Sequence, residues 1–220
     1  MTEWIDLTQP LSEDSPVLPP LHPKPEFEDF ATLAEDDYNS TILHLETHCG
    51  THMDAPTHFL SKDEYRTIDE ITVDEMITEG VICDFSHKEP NEGISREELT
   101  EQADRYDLGA GEYLIFDCGM PPADTDYYLR NFVYPEKGAA EFMVERDIAC
   151  FAIDALSADK PGATLAEHHV HYTLLPEDIL IIEGVANLSQ VEAGRFDVIC
   201  TPIPYVNRDG SQVRLLVRPQ

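Results

Sequence analysis

The sequence predicts a mixed α/β fold built around a substantial sheet. The chain contains eight short runs of β-branched or apolar residues bounded by turn residues, and only three segments with helical signals. Some of these helical segments connect strands, which is typical of mixed α/β architectures. A length of 220 residues suits one domain, so we expect residues 1–220 to form a single unit.

The eight predicted strands each combine a short apolar stretch with turn signals at both ends. We expect them near 3–8, 41–47, 80–85, 112–117, 148–154, 178–185, 196–202 and 212–218. Between the first two strands, prolines cluster in the stretch 16-PVLPPLHPKP-25. This stretch is expected to run as an extended loop over the surface.

Three segments carry signals for the start of a helix. They are expected near 72–78, 95–106 and 135–147. The first two open with a Thr or Ser followed three residues later by Glu, as in Ser95 and Glu98, which is the capping-box pattern. Pro135 stands near the start of the third, where its fixed backbone angle suits a first helical turn.

The composition excludes several classes of partner. Forty-four acidic residues stand against 14 basic ones, for a net charge of −30, so neither a nucleic acid nor an anionic membrane is expected as a partner. No apolar run approaches the roughly 20 residues of a membrane helix. The N-terminus MTEWIDLTQP lacks the regions of a signal peptide, and five scattered cysteines fit reduced thiols. We therefore expect a cytoplasmic protein.

One stretch, 48-HCGTHMDAPTH-58, concentrates side chains that bind metals. His48, His52, Asp54 and His58 occupy alternate positions, which is the period at which a strand presents side chains to one face. Two imidazoles and a carboxylate suit Zn²⁺, Mn²⁺ or Fe²⁺. A straight strand would nevertheless separate the first two histidines by about 13 Å, which is long for a shared ion.

A strand that bends at Gly50 reconciles this spacing. A helix would also bring His48 and His52 together, but a central glycine and the following Pro56 oppose it. Without a Cβ, Gly50 permits a sharp bend. Pro56 then redirects the chain so that His58 faces the same centre, and we interpret His58 as an acid–base group because histidine titrates near neutral pH.

The rest of such a site must come from a distant segment. Glu183 interrupts the apolar run 179-ILIIEGV-185, and a carboxylate in a buried strand is costly unless it is paired or bound to a metal. Upstream lie His168, His169 and His171. Spacing alone does not decide which of them joins Glu183.

These residues resemble the metal-dependent cyclase and kynurenine formamidase family, which includes isatin hydrolase. The stretch 48–58 matches the family signature HxGTHxDAPxH, and three other stretches resemble family segments in the same order. They are 5-IDLTQPLSEDSPV-17, 138-GAAEFMVERDIACFAIDALSAD-159 and 171-HYTLLPEDILIIEGVANL-188. The resemblance implies an α/β fold of the swivelling β/β/α type, with a barrel-like mixed sheet and a few flanking helices, assembled as a homodimer or homotetramer.

The resemblance also implies a set of site residues. The implied metal ligands are His48, His52, Asp54, His171 and Glu183. They would hold one or two divalent ions of zinc or manganese per subunit, with Asp54 and Glu183 as bridges, while His58 donates and accepts the proton. Family members with formamidase activity show an aromatic residue in the first loop where this chain has Leu18, which is the candidate substrate contact. Thr51 is a candidate for orienting His52 or the substrate carbonyl.

The implied reaction is hydrolysis of a carbon–nitrogen amide bond in a small molecule. The first candidate is arylformamidase activity, which converts N-formyl-kynurenine to kynurenine and formate. The second is hydrolysis of a cyclic amide such as isatin, or a cyclase reaction. A metal-binding or ligand-binding protein without turnover is the third, and the presence of His58 disfavours it.

The acidic surface predicts adaptation to high salt, a halophilic character. Like charges repel one another across the surface, and dissolved ions screen that repulsion. We therefore expect the midpoint temperature of unfolding, measured by circular dichroism, to be higher in molar KCl than in dilute buffer. Greater stability in dilute buffer would contradict this interpretation.

Overall fold

The computed structural model describes residues 3–17, 22–120 and 128–220. The strands are β1 (Ile5–Asp6), β2 (Glu26–Ala31), β3 (Ser40–His44), β4 (His52–Asp54), β5 (Ile77–Asp84), β6 (Gly93–Ile94), β7 (Tyr113–Asp117), β8 (Tyr134–Pro135), β9 (Cys150–Ile153), β10 (Leu180–Glu183), β11 (Gly194–Pro202) and β12 (Gly210–Pro219). The α-helices are α1 (Leu33–Asp36), α2 (Val73–Met76), α3 (Arg96–Arg105), α4 (Lys137–Glu145) and α5 (His169–Leu174).

The main sheet closes on itself. Its strand order is β1-β12-β11-β5-β7-β9-β10-β4, and β4 also pairs with β12, so the seven strands from β12 to β4 form a ring. The remaining strand, β1, pairs with the C-terminal part of β12. The pairs β5–β7, β7–β9 and β9–β10 are parallel, and the other pairs in the ring are antiparallel. The expected α/β fold with a barrel-like mixed sheet is therefore confirmed.

Side chains that alternate along the ring strands belong to two separate hydrophobic cores, one on each face of the sheet. In β7, Tyr113 and Ile115 join the cluster inside the barrel, whereas Leu114 and Phe116 pack against the helices outside it. Strands that are buried on both faces read as continuous apolar runs, as 179-ILII-182 does before it reaches Glu183. The helices α3, α4 and α5 cover the outer face through residues such as Leu99, Met143 and Leu174.

Most predicted elements recur with shifted ends. The capping box at the start of α3 is present, with Glu98 Oε2 accepting from the Ser95 amide at 2.9 Å. The predicted strand 41–47 ends at His44 instead, and it pairs with β2 in a separate two-stranded sheet. The sequence did not predict β2, because its EFEDFA run is acidic and almost wholly exposed.

The backbone approaches the metal-ligand motif closely at Gly184, the residue that follows β10. Gly50 and Gly184 both have φ of +67°, and a Cβ on Gly184 would lie only 2.6 Å from the carbonyl oxygen of Gly50. The predicted bend at Gly50 is thus confirmed. A second glycine is needed opposite the bend so that β10 can approach it.

Two further expectations concern the chain as a whole. All five cysteines are free and buried. In the described ranges, no helix combines the length and apolar character needed to cross a membrane.

Replacing Gly184 by Ala tests the close approach of β10 to the bend. Gly162→Ala is the matched control, because Gly162 also has a positive φ (+74°) but nothing described within 4 Å of a Cβ there. The control should lower the free energy of unfolding by about 1 kcal/mol through backbone strain alone. Gly184→Ala should lower it by at least about twice as much, measured by urea denaturation. An equal loss of unfolding free energy in the two variants would show that the close contact with Gly50 does not affect stability.

Candidate active site

The motif folds as a bend, a short strand and a turn. His48 precedes the bend at Gly50, His52 and Asp54 lie on one face of β4, and a single 3-10 turn over Pro56–His58 returns His58 to the same side. Asp54 Oδ1 lies 2.6 Å from His48 Nδ1 and 3.5 Å from His52 Nε2. The local sequence therefore gathers its own polar side chains around Asp54.

Strand pairing brings the distant half of the cluster to this point. Antiparallel pairing of β10 with β4 places Glu183 opposite His52, with Glu183 Oε2 at 3.5 Å from His52 Nε2. His171, on α5, places its Nε2 atom 3.4 Å from Asp54 Oδ2 and 3.5 Å from Glu183 Oε1. The structure thus joins the predicted ligands, and it selects His171 from the three neighbouring histidines.

Each of the three histidines in the cluster has an acceptor at its outer nitrogen. The contacts are His48 Nε2 to Asp209 Oδ2 at 2.7 Å, His52 Nδ1 to Gly50 O at 3.0 Å, and His171 Nδ1 to Asp159 Oδ2 at 2.5 Å. We assign the ring proton of each histidine to the nitrogen that faces its acceptor. When a metal displaces the proton from an inner nitrogen, the lone pair of that nitrogen points towards the two carboxylates, which is the arrangement found around protein-bound metals.

Two buried atoms of the cluster indicate what is bound there. Among the described residues, His52 Nε2 and Asp54 Oδ2 are buried without a hydrogen-bond partner. Unpartnered polar atoms of this kind are rare in folded proteins because desolvating them is costly. A cation coordinated by these atoms removes that cost, and imidazole with carboxylate suits a divalent metal ion. The donor set therefore fits a divalent metal.

The charges of the cluster support the same conclusion. Burial alone would lower the pKa of His48, but Asp54 and Asp209 raise it to about 10. Burial likewise opposes the charge on His171, while Asp159 and Asp54 raise its pKa to about 10. Burial favours a neutral Asp54, yet the surrounding histidines hold the pKa of its carboxyl well below the usual range. Without a metal, bound protons compensate the buried carboxylates, and a divalent ion would displace those protons.

The cluster faces a cavity of about 490 Å³. Phe59 forms an aromatic wall of this cavity: its ring stacks on His171 with centroids 4.6 Å apart and meets Tyr172 edge-on at 5.1 Å. The volume and the mixture of aromatic wall and polar floor suit a small molecule. A larger cavity of about 940 Å³, beside Asp154 and Tyr128, lies away from the cluster.

Two other sequence-based candidates are Thr51 and Leu18, and Cys49 also lies in the motif. The Thr51 hydroxyl donates to Gly184 O at 2.6 Å and accepts from the Gln9 amide at 2.8 Å, so it links the motif to the residue that follows β10. The contact that orients the His52 ring is made instead by the carbonyl oxygen of Gly50. Leu18 lies outside the described residues. Burial raises the pKa of the Cys49 thiol, which disfavours a nucleophilic thiolate.

Sequence reasoning missed the two carboxylates that hold His48 and His171. Asp159 ends the stretch 138–159, which resembles the family, so the resemblance marked its segment without assigning it a role. Asp209 lies in an ordinary turn sequence, 207-NRDG-210, and nothing in that composition separates it from a surface turn.

A family comparison agrees with this geometry. A model of the Cyclase family, described as "Putative cyclase", matches residues 5–160. The chain belongs to the cyclase family. The match spans His48, His52, Asp54 and His58 and ends before His171.

Individual relatives of this cyclase-family protein extend the comparison over its whole length. Kynurenine formamidase from Bacillus thuringiensis (strain Al Hakam) is 28% identical, over 99% of this chain and 98% of the relative. Kynurenine formamidase from Salinibacter ruber is 25% identical, over 84% and 82%.

Solved structures share the fold. Isatin hydrolase A from Labrenzia aggregata superposes with a TM-score of 0.87 at 22% identity, covering 99% of this chain and 94% of that one. A protein described as a potential metal-dependent hydrolase with cyclase activity superposes with a TM-score of 0.81 at 24% identity, covering 100% and 99%.

Replacing Glu183 by Gln tests the distant half of this cyclase-family cluster. The amide keeps the shape of the side chain but removes a charge that faces both His52 and His171, so bound metal measured by elemental analysis should fall. The exposed Glu177→Gln is the matched control and should retain full metal. Full occupancy in both variants would remove Glu183 from the metal site.

Proposed function

We propose that this protein is a metal-dependent hydrolase that cleaves the amide bond of a small aryl formamide, with N-formyl-kynurenine as the leading substrate. The observation that carries the proposal is the convergence of His52, Asp54, His171 and Glu183 at 3.4–3.5 Å. Three of them, His52, His171 and Glu183, line a cavity that His58 also lines. The curated kynurenine formamidases that resemble this chain over nearly its full length support the proposal.

The donor atoms divide into two sets that suit two ions. One set contains His48 Nδ1, His52 Nε2 and Asp54 Oδ1, and the other contains His171 Nε2, Asp54 Oδ2 and Glu183 Oε1. Two ligands of one tetrahedral ion lie about 3.4 Å apart when each metal–ligand bond is about 2.1 Å long. Three of the separations within these sets are 3.4–3.5 Å, and His48 Nδ1, which lies 2.6 Å from Asp54 Oδ1, would have to move outward to join the first ion. We favour two ions because the donors fall into these two sets. Zinc and manganese both suit this mixed donor set.

A divalent ion at these residues would supply Lewis acidity, which lowers the pKa of water to about 7 and polarises a carbonyl. His58 then acts as the general base and acid. It has a ring nitrogen within 4.8 Å of donor atoms of Asp54 and His171. It accepts a proton from the attacking water as the new carbon–oxygen bond forms, and it gives that proton to the nitrogen as the carbon–nitrogen bond breaks. The products are formate and an aryl amine.

The aromatic wall positions the substrate. Phe59 and Tyr172 present ring faces and edges beside the cluster, which favours a planar aryl group next to the reacting amide. A cyclic amide such as isatin would present the same two features, and its hydrolysis follows the same proton transfers. In that case the amine and the new carboxylate remain in one product.

We also propose a cytoplasmic homodimer or homotetramer. The β2–β3 hairpin supports self-association, because it leaves Phe30 64% and Leu43 56% exposed. An isolated two-stranded hairpin is marginally stable in water, and exposed apolar patches commonly mark interfaces. Light scattering in molar KCl measures the mass, and a monomer would contradict the proposal.

A substrate panel tests the proposed reaction. Protein reconstituted with zinc or manganese in molar KCl is mixed with N-formyl-kynurenine, isatin or a simple cyclic imide, and turnover is followed by absorbance. We expect the formamide to give the highest kcat/KM. Preferred turnover of isatin would establish the cyclic-amide alternative, and no turnover of any amide by fully metal-loaded protein would overturn the proposal.

His58→Ala separates proton transfer from metal binding. Loss of the imidazole should lower kcat by at least about 100-fold, because general acid–base catalysis contributes factors of that size. Metal content should not change. His169→Ala removes an exposed histidine of α5 and serves as the control, with turnover and metal both retained. Loss of metal from the His58 variant would make His58 a ligand instead.

A further inference from the structure

Asp209 lies beside both His48 of the metal cluster and His58, the proposed general base. Its Oδ2 atom accepts a hydrogen bond from His48 Nε2 at 2.7 Å and lies 3.9 Å from His58 Nδ1. The two imidazole rings are 3.8 Å apart between centroids and tilted by 32°. One carboxylate therefore faces both a candidate metal ligand and the residue that moves the proton.

The backbone fixes this carboxylate in place. The carbonyl oxygen of Asp209 accepts from the Ala55 amide at 2.9 Å, which ties it to the strand that carries Asp54. The next residue, Gly210, lies against His48: a Cβ there would meet His48 Cε1 at 2.8 Å and Met53 O at 2.8 Å. Because glycine stands at this position, the imidazole can lie directly on β12 beside Asp209.

We propose that Asp209 is the positioning residue of His58, an inference that rests on the proposed function. Its carboxylate attracts the Nδ1–H of His58 and so turns Nε2 towards the reacting atoms. A separation of 3.9 Å exceeds a hydrogen bond, but catalytic hydrogen bonds are often long in ligand-free proteins and shorten when substrate binds. The bond to His48 holds the carboxylate ready for that contact.

The cluster contains a matched counterpart that lacks this second contact. Asp159 holds His171 through Oδ2 at 2.5 Å and accepts backbone bonds from Val170 and His171. The histidine that Asp159 holds is therefore His171, a candidate metal ligand, and not the proposed general base His58. Replacing Asp159 should affect metal affinity alone, whereas replacing Asp209 should affect both metal affinity and His58. Comparing the two variants therefore isolates the effect on His58.

Asp209→Asn and Asp159→Asn are compared over a series of metal concentrations. Asparagine keeps the shape of the side chain and removes its charge. Loss of a carboxylate behind a ligand histidine typically costs about 10–100-fold in metal affinity or activity. For Asp159→Asn, excess metal should restore kcat. For Asp209→Asn, kcat should stay about 10–100-fold low at saturating metal with KM little changed, because proton transfer is impaired. Restoration of Asp209→Asn by metal would overturn the proposal.

A second measurement needs neither metal nor turnover. Nitrogen-15 spectra of labelled histidines in the metal-free protein report which ring nitrogen of His58 carries the proton. We expect Nδ1–H in the wild type and in Asp159→Asn, and a shifted proton distribution in Asp209→Asn. Unchanged His58 signals in Asp209→Asn would refute the contact. If the wild type hydrolyses no amide, the proposed function fails while these spectra still decide the role of Asp209.

Discussion

The antiparallel pairing of β4 with β10 is the interaction on which the site depends. It sets Glu183 directly opposite His52, although the two residues are 131 positions apart in the chain. Side chains alternate between the faces of a strand, so a slip of one residue would turn Glu183 away from the cluster. The two glycines at the adjacent bend, Gly50 and Gly184, allow the backbones to approach closely enough to hold this register.

Closure of the barrel gives β4 a second neighbour that is equally important. On its other edge β4 pairs with β12, which sets Gly210 opposite Asp54 and brings Asp209 beside His48. A three-residue strand is thus held on both sides, with the carboxylate of Glu183 at the end of β10 and that of Asp209 just before β12. The buried carboxylates and imidazoles compensate one another only partly, since Asp54 Oδ2 remains without a hydrogen-bond partner among the described residues. Rigid strands therefore maintain an arrangement that a cation would complete.

Local sequence patterns predicted the parts of the structure that local physics controls. Gly50 and Pro56 predicted the bend and the turn, and Glu183 stood out as a charge within an apolar run. The choice of His171 needed the family resemblance, because it depends on how α5 packs over the sheet. Asp209 could not be predicted from its turn sequence, since only the pairing of β12 with β4 brings it to His48. The exposed acidic strand β2 carried no apolar signal, and its partner β3 was assigned too long.

Anomalous X-ray diffraction from a crystal loaded with zinc or manganese tests the central claim most directly. The claim is that the motif and the distant segment form one metal centre. It predicts metal at the Asp54 carboxylate, with at least one peak that Asp54, His171 and Glu183 share. The donor atoms of His48, His58 and Asp209 also lie within 4.8 Å of one another. A metal held by those three residues, with Glu183 uncoordinated, would contradict the account.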